Sequence, residues 1–277
     1  MIGDLHCHTK ISDGSLGIEE VISAAKRGGL DFLSITDHDT MSGITRAKVL
    51  GLRYGINIIP GLEISVFDKN RNNKAHILCY LPEKPDRLEG ICQEILKNRE
   101  IAGKEMIKKV TRIFPVSSEQ ILKYTNGSSS IYKVHIIHAL MDFGYTDIIN
   151  GELYDKLFNS KTGSCYTKVT YPDIYTTLEL IKSAGGISVL AHPFLYDGFD
   201  LLCELCDKKM IDGVEVWHPS CNDKNIGDLL AVADKYSLIK TGGSDFHGMY
   251  GRNVNPIATC VTYEDQINRL FSFKSKK

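Results

Sequence analysis

Nothing in this chain reaches the eighteen or so consecutive apolar residues of a membrane-spanning helix, so no bilayer span is expected. A signal-peptide core is missing too: the N-terminus runs at once into an acidic, His-rich segment, and the expected location is the cytoplasm. Charge of one sign does not dominate, because 33 basic side chains face 34 acidic ones for a formal net charge of −1. With no global field to draw in nucleic acid, an anionic substrate has to be held locally, by metal ions or a few placed cations. The eight cysteines are scattered without export context, which favours reduced thiols that pack in the core. Their one close pair, Cys203 and Cys206, has no second pair to complete a zinc knuckle and reads as helix packing. A glycine-rich nucleotide loop of the required form is also absent, which weighs against an open doubly wound sheet.

Histidine and carboxylate are what the chain does have. It opens on Asp4-Leu5-His6-Cys7-His8-Thr9, and Asp13 follows five residues after His8. In an extended strand alternate side chains share a face, so His6 and His8 point one way and Cys7 the other. His-x-His alone is a weak signal. It gains weight from Asp37-His38, Glu63, His76, His192 and Asp245-x-His247, most of which follow directly on apolar runs that read as strands. Imidazole and carboxylate without a matching thiolate set is the ligand chemistry of hydrolytic Zn, Mn or Fe sites.

Periodicity places these groups. Ile18, Val21, Ile22 and Ala25 fall at i, i+3, i+4 and i+7 of an amphipathic helix, with Ser15 as the expected N-cap and Gly28-Gly29 as the stop. The run 32–36 is a short strand delivering Asp37-His38, a helix over 43–54 leads into the strand 56–59, Pro60-Gly61 turns the chain at Glu63, and the strand 75–81 opens with His76. From 85 to 170 the pattern is mostly helical and Lys/Glu-rich; it is read as an insertion beside the main body, either a solvated helical face or a lid. Strand-helix alternation resumes at Tyr175, and strands end in His192-Pro193, His218-Pro219 and Gly243-Ser244-Asp245. About seven such repeats in 277 residues favour a parallel sheet closed into a barrel, whose C-terminal rim would gather His6, Asp37, Glu63, His192 and Asp245.

The motifs Asp4-Leu5-His6-Cys7-His8, Thr36-Asp37-His38, Pro60-Gly61-x-Glu63, His76, Ala191-His192-Pro193 and Gly243-Ser244-Asp245-Phe246-His247 together resemble those of the polymerase and histidinol phosphatase (PHP) superfamily of metal-dependent phosphoesterases. The resemblance implies a distorted seven-stranded (β/α) barrel made of 1–84 and 171–277, a helical insertion at 85–170, and a cluster of three divalent ions, Mn, Fe or Zn. It places His6, His8, Glu63 and Asp245 on one ion. Glu63, as a bridge, shares a second ion with His76 and a histidine of the insertion, and Asp13, His38 and His247 hold the third. The family's Arg-x-His pattern aligns with Lys133-Val134-His135, which selects His135 over His138; lysine in place of arginine removes a bidentate fork for phosphate. His192 is expected to touch substrate phosphate or to protonate the leaving oxygen, Asp37 to orient His38 or a water, and Lys133 and Arg252 to bind an anionic substrate. Glu215 and His218 have no counterpart and read as polar rim residues.

Ser12-Asp13-Gly14, Thr36-Asp37-His38-Asp39-Thr40, the insertion and Lys161-Thr162-Gly163 are similar to the stand-alone branch that hydrolyses 3′,5′-nucleotide bisphosphates such as pAp, some of whose members trim short 5′-phosphorylated RNA. The implied reaction is removal of a 3′-phosphate by a hydroxide bridging two ions. Histidinol-phosphate phosphatase is the alternative, although its members commonly have histidine where Asp13 stands. A metal-dependent amidohydrolase would add a bridging lysine where this chain has His76, and a non-catalytic metal-binding module would have lost ligands, whereas all nine positions are filled.

Overall fold

The computed structural model describes residues 1–253 and 255–274. Its first unit is β1 (Ile2–Cys7), α1 (Ile18–Arg27), β2 (Phe32–Ile35), α2 (Ile44–Tyr54) and the short β3 (Asn57–Ile58). α1 buries the four residues that its spacing predicts, so its apolar stripe faces the core. Its start differs from the expectation. Gly17 is the N-cap, with Glu20 accepting from its backbone N–H at 2.7 Å. Ser15 Oγ instead accepts from the Met249 N–H and ties the β1–α1 loop to the far end of the chain.

β4 (Gly61–Asp68) and β5 (Asn73–Tyr80) form an antiparallel hairpin paired from Gly61↔Tyr80 to Asp68↔Asn73, so Glu63 sits inside a strand and not on a turn. The helices α3 (Asp86–Val110), α4 (Ser118–Leu122), α5 (Lys133–Asp142), α6 (Glu152–Phe158) and α7 (Ile174–Ser183) follow. Then come β6 (Ile187–Leu190), α8 (Phe199–Asp207), β7 (Gly213–Trp217), α9 (Asp223–Lys235), β8 (Ile239–Gly242), β9 (Thr262–Tyr263) and α10 (Glu264–Lys274). No helix among the described residues is long and apolar enough to cross a membrane.

The strands form two mixed sheets, in the orders β3-β2-β1-β9 and β4-β5-β6-β7-β8. One closed, all-parallel, seven-stranded barrel is therefore not what the ladders show. β4 and β5 are joined by a tight turn with no crossover helix, which makes their pairing antiparallel, and β5 in turn pairs antiparallel with β6. β9 likewise runs against β1. The sheets approach each other through single parallel bridges, His38↔Glu63 at one seam and Cys7↔Phe246 at the other. Both bridges lie where β1, β2 and β8 give up their carboxyl ends, which is where the polar residues gather.

α3 spans two cores. Leu88, Cys92 and Ile95 pack with Leu62, Ile64, Ile77, Leu178 and Leu202 under the second sheet. Farther along, Ala102, Met106, Ile107 and Val110 join Ile121, Ile136, Ile137, Leu140 and Phe158 in a separate helical core. A 25-residue helix is roughly 37 Å long, enough to serve both and so fix the helical part beside the sheets. Gly243 sets a second close approach: a Cβ there would lie 2.3 Å from His6 Cβ and 2.5 Å from His6 N, so only glycine lets the segment after β8 pass against β1.

Candidate metal centre

Period-two alternation in β1 sends His6 and His8 to one side, and the neighbouring strand ends complete the group. His6 Nε2 lies 3.4 Å from Glu63 Oε2 and 3.3 Å from Asp245 Oδ1. His8 Nε2 lies 3.3 Å from each of the same two oxygens. Donor atoms at bonds of about 2.0–2.1 Å in tetrahedral array stand roughly 3.4 Å apart, so this spacing fits one ion held by four ligands. Around the other oxygen of Glu63, His76 Nδ1 lies at 2.8 Å and His192 Nε2 at 2.9 Å, while His38 Nδ1 is 3.1 Å from Oε2. A third group joins Asp13 to His38 Nε2 at 3.8 Å, His247 Nε2 at 3.3 Å and His8 Nδ1 at 3.7 Å. His6 Nε2, His8 Nε2, His38 Nδ1 and Asp13 Oδ1 are buried without any hydrogen-bond partner. Buried polar atoms are rarely left so, and this donor set at these spacings is what divalent ions would satisfy.

The backbone is bent to achieve this. His192 has φ 28° and Asp245 φ 49°, left-handed values that cost on the order of 1–3 kcal/mol each in a residue with a Cβ. The His192 N–H is held by Glu215 Oε2 at 2.8 Å, and the other Glu215 oxygen accepts from His6 Nδ1 at 2.9 Å. That second bond fixes the His6 ring with Nε2 turned inward, the arrangement by which a carboxylate orients a metal-binding imidazole.

Mutual charge decides the protonation pattern. Burial pushes Glu63, Asp13 and Asp245 upward, but the packed imidazoles, His38 first for Glu63 and Asp13 and His6 first for Asp245, hold all three well below the usual carboxylate range. For His8 burial favours the neutral ring, yet the nearby carboxylates of Asp245 and Glu63 prevail and push it up to about 10. The carboxylates are thus ionised at neutral pH, as ligands of a divalent ion must be, while burial pulls His38 and His76 downward, toward the neutral form that binds a metal.

Two expected roles are corrected. His135 is not brought to the cluster. It stands at the third position of α5, where its Nδ1 accepts from the Tyr132 N–H at 3.3 Å and caps the helix, and burial pushes its pKa down to about 4. His192 occupies the place on Glu63 that the insertion histidine was expected to take. Asp37 does not reach His38 or the cavity: its oxygens accept from the Thr9 N–H, Thr9 Oγ1 and Ser12 Oγ at 2.6–2.7 Å. It shapes the loop that carries Asp13, and Ser12 passes that constraint to His8 Nδ1 at 3.4 Å.

Sequence reading missed Glu215 as a partner of His6, and Arg99 altogether. Arg99 Nη2 reaches Asp39 Oδ2 at 2.7 Å and Ser65 Oγ at 2.9 Å, and its guanidinium stacks 4.6 Å from the Tyr132 ring. Its signal was hidden in the Lys/Glu-rich pattern of α3, where an arginine looks like one more solvated charge.

Two cavities meet at the cluster. The larger, of about 450 Å³, is lined by His192, His218, Asp245, Tyr250 and Asn253, with Arg252 at its rim. Arg252 is 70% exposed and pairs with Asp155 at 3.3 Å. The smaller, of about 220 Å³, is lined by Lys74, Arg99, Lys133, Tyr132, Tyr166 and Tyr171, and both open on Asp13, His38 and His76. Lys133 donates to the Phe158 carbonyl at 3.2 Å and stands 4.8 Å over the Tyr166 ring. Burial first, and then Lys74, Arg99 and Arg252, pull its pKa down to about 8.

Residues 4–240 match the family model described as the PHP domain. The chain is 34% identical over 254 residues to the phosphoribosyl 1,2-cyclic phosphate 1,2-diphosphodiesterase of Eggerthella lenta, covering 91% of this chain and 96% of that one. It is 28% identical to the 3′,5′-nucleoside bisphosphate phosphatase of Chromobacterium violaceum, covering 91% and 90% respectively. A solved structure from Bifidobacterium adolescentis, described as a metal-dependent phosphoesterase, superposes with a TM-score of 0.86 at 26% identity, over 98% of this chain and 95% of that one. A family match over most of the chain, together with the set of imidazoles and carboxylates that the fold draws into one place, makes this protein a member of the PHP family and a metal-dependent phosphoesterase.

Proposed function

We propose that the substrate is a ribose phosphate ester carrying a second phosphate, with the scissile phosphate at the metal cluster and the second one on Lys133. The observation that carries this reading is the smaller cavity. Three cations line it beside the cluster, and Lys133 has no carboxylate partner among the described residues. A buried lysine surrounded by like charge and facing a cavity is suited to a dianion. Tyrosine faces on the same walls suit a sugar or a base.

In this reading His6, His8, Glu63 and Asp245 hold one ion, Glu63, His76 and His192 a second, and Asp13, His38 and His247 a third, drawn from Mn, Fe or Zn. Divalent ions there supply Lewis acidity to phosphoryl oxygens and make water a usable nucleophile near neutral pH. The two sheets serve as halves of a distorted barrel, and 85–170 serves as a cap whose helix α5 delivers Lys133. Nucleoside 3′,5′-bisphosphates are the first candidate. Phosphoribosyl 1,2-cyclic phosphate is the second, favoured by the 34% identity over nearly the whole length of the relative named for it. Both combine a ribose with two phosphate groups.

The deciding experiment measures initial rates of Mn²⁺-loaded protein on pAp, phosphoribosyl 1,2-cyclic phosphate, 5′-AMP, histidinol phosphate and a short 5′-phosphorylated RNA. A preference of about 100-fold or more for either doubly phosphorylated ribose over 5′-AMP is expected, the worth of one or two charge-assisted hydrogen bonds. Equal rates on 5′-AMP or histidinol phosphate would remove the second-phosphate reading.

Lys133 also predicts a pH dependence. The free enzyme carries the cation below about 8 and loses it above, so kcat/KM for a doubly phosphorylated substrate falls as pH rises through that value. Lys133→Met is expected to raise KM by roughly 10- to 100-fold and to abolish this descending limb. A limb unchanged in the variant would assign it to another group.

A further inference from the structure

We propose that His218 is a catalytic residue of the phosphoester hydrolysis, donating a hydrogen bond from Nε2–H to an oxygen of the phosphoryl group being transferred. β6 and β7 are neighbouring parallel strands, and each is followed within two residues of its end by His-Pro: His192-Pro193 and His218-Pro219. The first histidine is used on Glu63. The second is left over.

Of the nine histidines, six belong to the metal-binding groups, while His135 and His138 are engaged by the Tyr132 N–H and the Tyr250 hydroxyl. His218 is thus the one imidazole on the wall of the larger cavity with no place in a ligand group. It is 4% exposed and its ring centroid lies 5.3 Å from that of His192.

Its tautomer follows from one neighbour. The Ser220 backbone N–H donates to Nδ1 at 3.1 Å, so Nδ1 is an acceptor, Ser220 Oγ adds a contact at 2.7 Å, and the ring proton sits on Nε2. That N–H faces Asp245 Oδ2 at 3.4 Å, too long to use the donor fully. The result is an Nε2–H donor, held by its own turn, beside the carboxylate whose other oxygen faces His6 and His8. A preorganised donor of this kind gains strength as charge builds on a phosphoryl oxygen, and it needs no proton transfer to act.

The test compares His218→Phe, which keeps a ring without the donor, with His218→Gln, whose amide N–H reaches a similar position. Binding of inorganic phosphate to Mn²⁺-loaded protein is measured by calorimetry, metal content by elemental analysis, and kcat and KM on the substrate that the wild type turns over fastest. H218F is expected to bind phosphate about 10-fold more weakly and to lose roughly 10²- to 10³-fold in kcat with metal content unchanged, while H218Q stays within about 10-fold of wild type on both. Loss of metal in step with activity would reduce His218 to a support for Asp245. Unchanged phosphate affinity, or equal damage in both variants, would overturn the proposal. Inorganic phosphate carries neither ribose nor a second phosphate, so failure of the substrate reading above leaves this result interpretable.

Discussion

Glu63→Ala is expected to abolish phosphoesterase activity, with kcat/KM falling by at least roughly 10³-fold and bound metal lost alongside. Five histidines place a ring nitrogen within 3.4 Å of this one buried carboxylate: His6, His8, His38, His76 and His192. Removing it strips a shared ligand from two of the groups and leaves His76 and His192 without the carboxylate they face. Ions at such a centre supply several kcal/mol of stabilisation to the reaction, and each 1.36 kcal/mol is tenfold in rate. Glu63→Gln separates shape from charge. It fills the same volume but is expected to lose metal as the alanine variant does. Elemental analysis and steady-state kinetics on both variants check this. Full metal content with activity within tenfold of wild type would mean that these residues are not the reacting centre.

The second large effect is on stability. Arg99→Met is expected to cost about 3 kcal/mol, because it leaves the Asp39 carboxylate, fully buried and with φ 58°, without its cation. For a chain of this size that corresponds to a fall in Tm of roughly 6–12 °C. Asp39 also accepts from the Ser65 N–H at 2.8 Å, so the unpaired charge is partly solvated by the backbone but not neutralised. Adding Asp39→Asn to Arg99→Met is expected to recover part of the loss, since no uncompensated charge then remains. Denaturant unfolding of the metal-loaded single and double variants measures the coupling. A single variant within 1 kcal/mol of wild type would show that solvent from the adjoining cavity screens the pair. The pair also ties the middle of α3 to the loop after β2, so KM for the doubly phosphorylated substrate is expected to rise in the same variant.

Much of the centre was readable because it is built from local patterns at strand ends. Alternation put His6 and His8 on one face, and apolar runs ending in Asp37-His38 and Gly243-Ser244-Asp245 marked carboxyl ends. The errors have local causes as well. Lys133-Val134-His135 fits a ligand pattern, but a histidine three residues after a helix N-cap can serve the helix instead, and nothing in composition separates the two uses. Asp37 follows Thr36 at the end of a strand as a catalytic carboxylate would, yet its oxygens are consumed by Thr9 and Ser12, some 25–28 residues earlier. The polar run from Asp68 to Asn73 between apolar segments is consistent with a hairpin. Counting strand-helix repeats alone concealed that β5 runs against its neighbours.

By itself the sequence determined the family, the helices with strong periodicity, the residue types of the metal centre and the strand ends that present them, because each depends on spacing within a few residues. The tertiary structure decided which histidine completes the group on Glu63, that Glu215 orients His6, that Arg99 is buried with Asp39, and that the strands form two mixed sheets. Those outcomes depend on contacts between residues 60 to 209 positions apart, such as Arg99 with Asp39 and Glu215 with His6. Side chains of one type have the same propensities in sequence whether solvent or a buried partner awaits them, and only packing distinguishes the two.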